Sequence, residues 1–159
     1  MSNLTVIRNA MSAQIGRLAA PALRSMPELN DQVNPPYGAV VPARQYVDYR
    51  TTLQGATGFG PVLGQAVTTP LSPANFFLDY LIILSKASTL ERVEAAMDAW
   101  LGFESDIGGV SVAAAVAADP TLGGTVAWCL ATTADAPGPL SYNGVEMFGC
   151  RIHFSLSQL

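Results

Sequence analysis

The sequence predicts an α+β fold: a small, largely antiparallel sheet of about four strands, with two main helices packed on one face. Period-2 alternation, which is typical of strands, occurs three times after residue 75. Apolar residues spaced by three and four positions, which are typical of helices, occur in two longer stretches. Single helices between runs of strands favour α+β over a regular βαβ order. A length of 159 residues suits one domain over 1–159.

The first half begins with a helix and continues in short strands. Apolar residues at positions 4, 7, 11, 15 and 18 predict a helix over 3–19, capped by an asparagine. Prolines and asparagines over 26–37 predict a loop. Two β-like pieces at 39–41 and 46–50 fit either one bent strand or a hairpin.

A long irregular loop or arm is expected over residues 51–74. The segment has no clear period and is rich in glycine, proline and threonine. It also contains Phe59 and Leu63, which a fully solvated loop does not favour. We therefore expect this segment to pack on a neighbouring subunit.

Two elements follow the arm, a strand over 76–86 and a helix over 89–101. The strand is apolar on both sides in its middle, which predicts that both of its faces are covered. The helix begins with a Ser-Thr-Leu-Glu capping box and ends at a glycine. An alanine- and valine-rich stretch over 110–118 predicts a further short helix.

The chain ends in strands. Alternation predicts one strand over 125–133 and another over 145–156, and Asn143-Gly144 is a hairpin signal. Inward-facing residues of the last strand include Cys150, whereas Arg151 and His153 face outward. Residues 76–86, 125–133 and 145–156 would then form the sheet on which the two main helices pack.

The residue types needed for catalysis are scarce. The only histidine, His153, lies in mid-strand, and no triad can be assembled around it from the sequence. Two cysteines, Cys129 and Cys150, are too few for a disulfide framework or, with one histidine, a four-ligand zinc site. We expect them to be reduced and buried in an intracellular chain. The sequence thus predicts no enzyme, cofactor or metal site.

Two further motifs receive ordinary interpretations. The Gly55–Gly60 stretch lacks the Gly-Lys-Ser/Thr ending of a phosphate-binding loop and is interpreted as loop flexibility. Acidic residues on the helix over 89–101 fit a solvated face better than a cation site; they are Glu91, Glu94 and Asp98.

Composition indicates a subunit rather than a free monomer. Charged residues make up 13% of the chain, against about 25% in typical soluble domains, and half of the residues are hydrophobic. A lone domain with so few charges would leave apolar surface exposed, so we expect contacts with other copies. The net charge of −4 argues against a protein that binds nucleic acid through its phosphates. No apolar run reaches the about 20 residues of a membrane span.

Candidate interface residues come from the strand faces and the arm. A mixed charged set near residues 44–50 fits salt bridges across an interface or simply a polar sheet face. The second face of the sheet, with Leu81, Arg151 and His153, is expected to meet an adjoining subunit or to line a lumen. The full predicted set is Arg44, Tyr46, Asp48, Arg50, Phe59, Leu63, Leu81, Arg151 and His153.

Several segments, taken in order, resemble a known family. The central one is the helix, Ala-Asp-Pro-Thr-Leu-Gly-Gly turn and strand over 110–126. The others are Pro-Pro-x-Gly-Ala-Val-Val at 35–41, Tyr46–Arg50, the aspartate-containing apolar strand at 75–86, the helix Glu91–Leu101 and the strand pair Tyr142–Phe154. Together they resemble tail terminator proteins of long-tailed actinobacterial phages (siphoviruses). Residues 51–74 depart from the resemblance.

The resemblance implies a structural virion protein. It implies a homohexameric ring that caps the completed tail tube and joins it, on its other face, to a head-closure or neck protein. DNA would pass through as cargo only. The protein would reside in the neck region of the virion tail, and in the host cytoplasm during assembly.

Two other classes of function stay open. One is a different virion ring, either a head-closure or a tube protein. The other is a small ligand-binding domain or enzyme, which would require a pocket with convergent polar groups.

Overall fold

The computed structural model describes residues 3–19, 24–25, 37–48, 75–84, 90–103, 110–142 and 145–159. Across these residues the helices are α1 (Leu4–Leu18), α2 (Leu90–Leu101) and α3 (Val112–Ala117). The strands are β1 (Arg24–Ser25), β2 (Tyr37–Asp48), β3 (Asn75–Leu84), β4 (Trp128–Ala134), β5 (Gly138–Tyr142) and β6 (Val145–Ser157). The α+β class is confirmed, and the predicted count of about four strands and two main helices is corrected to six and three within the described ranges.

One sheet contains all six strands, in the order β1-β2-β3-β6-β4 with β5 also paired to β6. β1 runs parallel to β2, and every other described pairing is antiparallel. The long strand β6 carries two partners on one side: β4 along its second half and β5 along its first half. Tyr142 of β5 pairs with Val145 of β6, as the hairpin signal predicts. The short strands β1 and β5 are the elements that the alternation pattern did not reveal.

β2 is one irregular strand over Tyr37–Asp48, which favours the bent strand over the hairpin for the part of 39–50 that the structure describes. Its pairing with β3 is regular from Tyr37 to Pro42, shifts register, and resumes at Val47. Proline cannot donate a ladder hydrogen bond, so a break next to Pro42 is the physically expected place. The bend changes which side chains share a face of β2.

The helices pack on one face of the sheet, as predicted for the two main ones. α1 contributes Ile7, Met11 and Ile15 to this core, and α2 contributes Met97 and Trp100. They meet alternate residues of the two central strands, namely Phe76, Leu78, Tyr80, Ile82 and Leu84 of β3 and Cys150, Ile152, Phe154 and Leu156 of β6. Burying each large side chain stabilises the fold by about 1.5–3 kcal/mol. The side chains of Leu90 and Val93, also predicted here, lie outside the described residues.

A buried glutamine joins α1 to the end of α3. The Gln14 amide nitrogen donates to the carbonyl oxygens of Ala115, Val116 and Asp119 at 2.8, 3.1 and 3.1 Å. The Val116 and Asp119 carbonyls also accept from the backbone nitrogens of Asp119 and Leu122. Gln14 therefore adds a donor to these two carbonyls and supplies the Ala115 carbonyl, near the end of the helix, with a buried partner.

The turn after α3 is closed by its own aspartate. The Asp119 carboxylate accepts from the backbone nitrogen and hydroxyl of Thr121 and from the Gly123 nitrogen. Leu122, Gly123 and Gly124 all adopt positive φ, a conformation that glycine tolerates best. The Leu122 side chain is nevertheless buried in the core. The motif that carries the family resemblance is therefore a structural turn.

Cys129 and Cys150 are free thiols in the structure and are buried in the helix-side core, and their burial is as predicted. Burial raises the pKa of the Cys129 thiol to about 12. Burial, with the nearby Asp135 charge, raises the pKa of Cys150 to about 11. Both groups stay protonated at neutral pH and act as small core residues.

The second face of the sheet is partly interior. Leu81 and Ile83 point away from the helices, yet each is only 1% exposed. The interface prediction for Leu81 is therefore corrected: a side chain already excluded from solvent within one chain offers no surface to a partner.

Within the described residues, no helix is long and apolar enough to cross a membrane.

A charged cleft on the second face of the sheet: the candidate functional site

A cleft of about 690 Å³ opens on the sheet face opposite the helices. Its polar lining combines three basic with two acidic side chains, and its apolar lining comes largely from β2 and β3. The polar set is Arg44, Asp79, Asp135, Arg151 and His153, and the apolar set includes Pro42, Ala43 and Phe77.

Strand register brings the charged groups together. Asp79 of β3 lies directly opposite His153 of β6, and Arg151 is two residues away on the same face of β6. Asp135 follows the end of β4, where its backbone nitrogen donates to the Arg151 carbonyl at 2.8 Å. Side chains two residues apart on a strand share a face, so the pairing alone determines the cluster.

His153 is held between two carboxylates. Its Nδ1 lies 2.6 Å from Asp79 Oδ1, and its Nε2 lies 2.7 Å from Asp135 Oδ1. A carboxylate only accepts hydrogen bonds, so both ring nitrogens donate together only in the imidazolium form. Partial burial disfavours that charge, but the hydrogen bonds to Asp135 and Asp79 outweigh burial and raise the pKa of His153.

Asp79 is the buried centre of the cluster. The residue is 2% exposed, and its second oxygen accepts from Arg151 Nη1 at 3.4 Å. A carboxylate removed from water is costly unless opposite charges and hydrogen bonds compensate it. His153 and Arg151 supply that compensation from one strand.

The geometry suits charge compensation better than proton transfer. A general base needs a free ring nitrogen facing the group that loses its proton. Both nitrogens of His153 already face carboxylates at hydrogen-bond distance. The described residues also contain no group of three or more side chains that could hold a metal ion.

Three of the predicted interface residues line this cleft: Arg44, Arg151 and His153. Tyr46 does not, because the irregularity in β2 turns it onto the helix-side core, where its hydroxyl is buried with no hydrogen-bond partner among the described residues. The expectation that Tyr46 shares the polar face is thus corrected. Asp48 ends β2 opposite Asn75.

The remaining predicted positions fall outside the part of the chain that the structure describes. They are the side chain of Asp48, and all of Arg50, Phe59 and Leu63. The arm predicted over 51–74 lies there too and stays a prediction.

Sequence reasoning missed Asp79 and Asp135 as members of the site. Asp79 did carry a signal, since a charged residue within a doubly apolar strand is seldom buried without a partner. Asp135 carried none, because it lies in a connection and only the sheet brings it to His153.

A second charged surface lies on the outer side of α2. Glu91 and Glu94 are exposed and Asp98 is half-buried, which agrees with the predicted solvated face. The neighbouring Phe103 is 68% exposed. This acidic face lies on the helix side of the sheet, away from the cleft.

No protein-family model matches the chain, and no curated protein matches it. What supports a function is therefore the chain's own residues, its fold and the short motifs described above.

Proposed function

We propose that the chain is a structural virion protein, a tail terminator that forms a ring of six copies on the finished tail tube of a long-tailed phage. Its partners are other copies of itself, the tail tube protein below and a head-closure or neck protein above. It acts without catalysis or a cofactor, and DNA passes through the ring as cargo. It resides in the tail neck, and in the host cytoplasm before assembly.

The observation that carries the proposal is the order of short motifs that resemble this family along most of the chain. In the structure the central motif over 110–126 contains α3 and the closed turn, and β4 begins just after it at Trp128; a strand thus follows the motif instead of ending it. The α+β class is compatible with it as well.

The chemistry of the cleft supports a structural role. Both nitrogens of its histidine are engaged by carboxylates, so neither is free to act as a general base. The small charged fraction of the sequence also favours a subunit that buries surface against others.

Disruption of the coding sequence in the virus that carries it tests the proposal. We expect filled heads and separate tails, with joined particles restored by the wild-type chain supplied in trans. Joined infectious particles without the chain would overturn the proposal. Loss of all tails would instead favour the alternative of a tube protein, and normal tails with leaking heads would favour a head-closure protein.

A further inference from the structure

We propose that the charged cleft binds the acidic face of α2 from a second copy of this chain. The acidic face comprises Glu91, Glu94 and Asp98, with Phe103 beside it. This contact goes beyond the proposed function, because it specifies two surfaces that would join copies in any assembly of this subunit.

The cleft contains more cationic groups than carboxylates. Three cationic groups line it against two carboxylates, so its net charge is +1 when His153 is an imidazolium. The two carboxylates are both occupied by His153, and Arg151 makes one long contact of 3.4 Å with Asp79. Arg44 is exposed and forms no ion pair with any described residue. Arg44 and Arg151 thus have donors available for an incoming carboxylate.

The acidic face has the opposite imbalance. Glu91, Glu94 and Asp98 line one shallow depression beside Phe103, and no basic side chain is among the described residues that line it. The three carboxylates therefore give this face a formal charge of −3 that no described cation offsets. Complementary patches of this kind steer association and fix its orientation.

An apolar component accompanies the charges on both sides. Phe103 is among the most exposed large apolar side chains of the described residues. The cleft offers Phe77, Pro42 and Ala43 as apolar lining. An exposed aromatic side chain next to charged groups is the composition of an interface centre with a polar rim.

The two surfaces lie on opposite sides of the sheet. The cleft opens on the face away from the helices, whereas α2 covers the other face through Met97 and Trp100 and turns its acids outward. One copy can therefore use its cleft with one neighbour and its acidic face with another. Contacts between two different patches are head-to-tail, the type that closes into rings or extends as filaments.

Sedimentation velocity over a concentration series tests the contact on the full chain. At about 0.05 M salt we expect concentration-dependent association that weakens in about 1 M salt, where charges are screened within about 3 Å. Arg44→Glu should raise the dissociation constant by about tenfold or more, as should the pair Glu91→Arg and Glu94→Arg. A chain that combines both changes restores opposite charges across the contact and should recover association.

Matched controls separate this contact from general charge effects. Arg8→Glu on α1 makes the same charge change as Arg44→Glu, and Glu146→Arg on β6 makes the same change as either single acidic substitution, both at other exposed positions; both should leave the dissociation constant unchanged. A wild-type chain that stays monomeric at about 1 mM, equal losses in the controls, or no recovery in the combined chain would overturn the proposal. These outcomes leave the tail function standing, since a ring could use other surfaces. Absence of the chain from virions would likewise leave this contact standing.

Discussion

The two aspartates that hold His153 offer a sharp test of how the cleft is stabilised. Their oxygens lie 2.6 and 2.7 Å from the ring nitrogens, so the two hydrogen bonds are nearly equal in length. The side chains differ in burial, with Asp79 3% and Asp135 56% exposed. We expect Asp79→Ala to destabilise the fold far more than Asp135→Ala.

The magnitude follows from desolvation. Breaking a buried ion pair costs about 3–5 kcal/mol, because the remaining charge is left uncompensated. His153 and Arg151 keep some access to water, with side chains 31% and 39% exposed, so the lower end, about 3 kcal/mol, applies to Asp79→Ala. An exposed pair contributes about 0–1 kcal/mol, which is the loss expected for Asp135→Ala. In a chain of this size these losses correspond to about 6–12 °C and at most about 4 °C in Tm.

Urea unfolding followed by tryptophan fluorescence near pH 6 measures both variants, with circular dichroism to check that each one folds. Asp79→Asn serves as a shape-matched control, because it removes the charge and keeps the volume. If both alanine variants lost the same free energy of unfolding, the reasoning would be refuted, because hydrogen-bond geometry and not burial would then determine how much each aspartate stabilises the fold. A loss below about 1 kcal/mol for Asp79→Ala would refute it as well.

Three further predictions concern pH, capping and the second face. The pKa of His153 is higher in the folded than in the unfolded chain, where it is about 6.5. The protonated imidazolium therefore stabilises the fold fully below about pH 6.5, and this stabilisation is lost as pH rises through the folded pKa. The free energy of unfolding should therefore fall as pH rises from about 6 to 8, a range that lies mostly below the pKa of unfolded thiols. In the same pH series, the His153→Gln variant should show a smaller fall. Gln14→Leu should cost about 1–3 kcal/mol in urea unfolding, because the buried Ala115 carbonyl loses its donor while Val116 and Asp119 keep only their backbone donors. Leu81→Asp should unfold the chain by circular dichroism, whereas Leu130→Asp, at a position on β4 that is 51% exposed, should leave it folded. A folded Leu81→Asp chain would show that this site is not interior.

The main elements could be predicted from the sequence because each has a local cause. The apolar spacing of α1, the capping box before α2 and the alternation of β6 all depend on residues close in the chain. The short strand β5 escaped prediction because its Gly-Pro-Leu-Ser-Tyr sequence has no alternation, and only pairing with β6 makes it a strand.

The site was only half predictable, for a physical reason. Arg151 and His153 follow from the outward side of β6, but the partners that fix their charge come from β3 and from the connection after β4. Such partners depend on the order and register of strands, which are non-local. Tyr46 was misplaced for a related reason, because the shift in register within β2 breaks the period-2 rule.

Electron cryo-microscopy of tailed particles produced with the chain present is the decisive measurement for the proposal that copies of this chain close into one ring on a phage tail. We expect density for a single closed ring of six copies at the end of the tail tube nearest the head. Copies stacked along the tube, a single copy per tail, or no copy in the particle would contradict it.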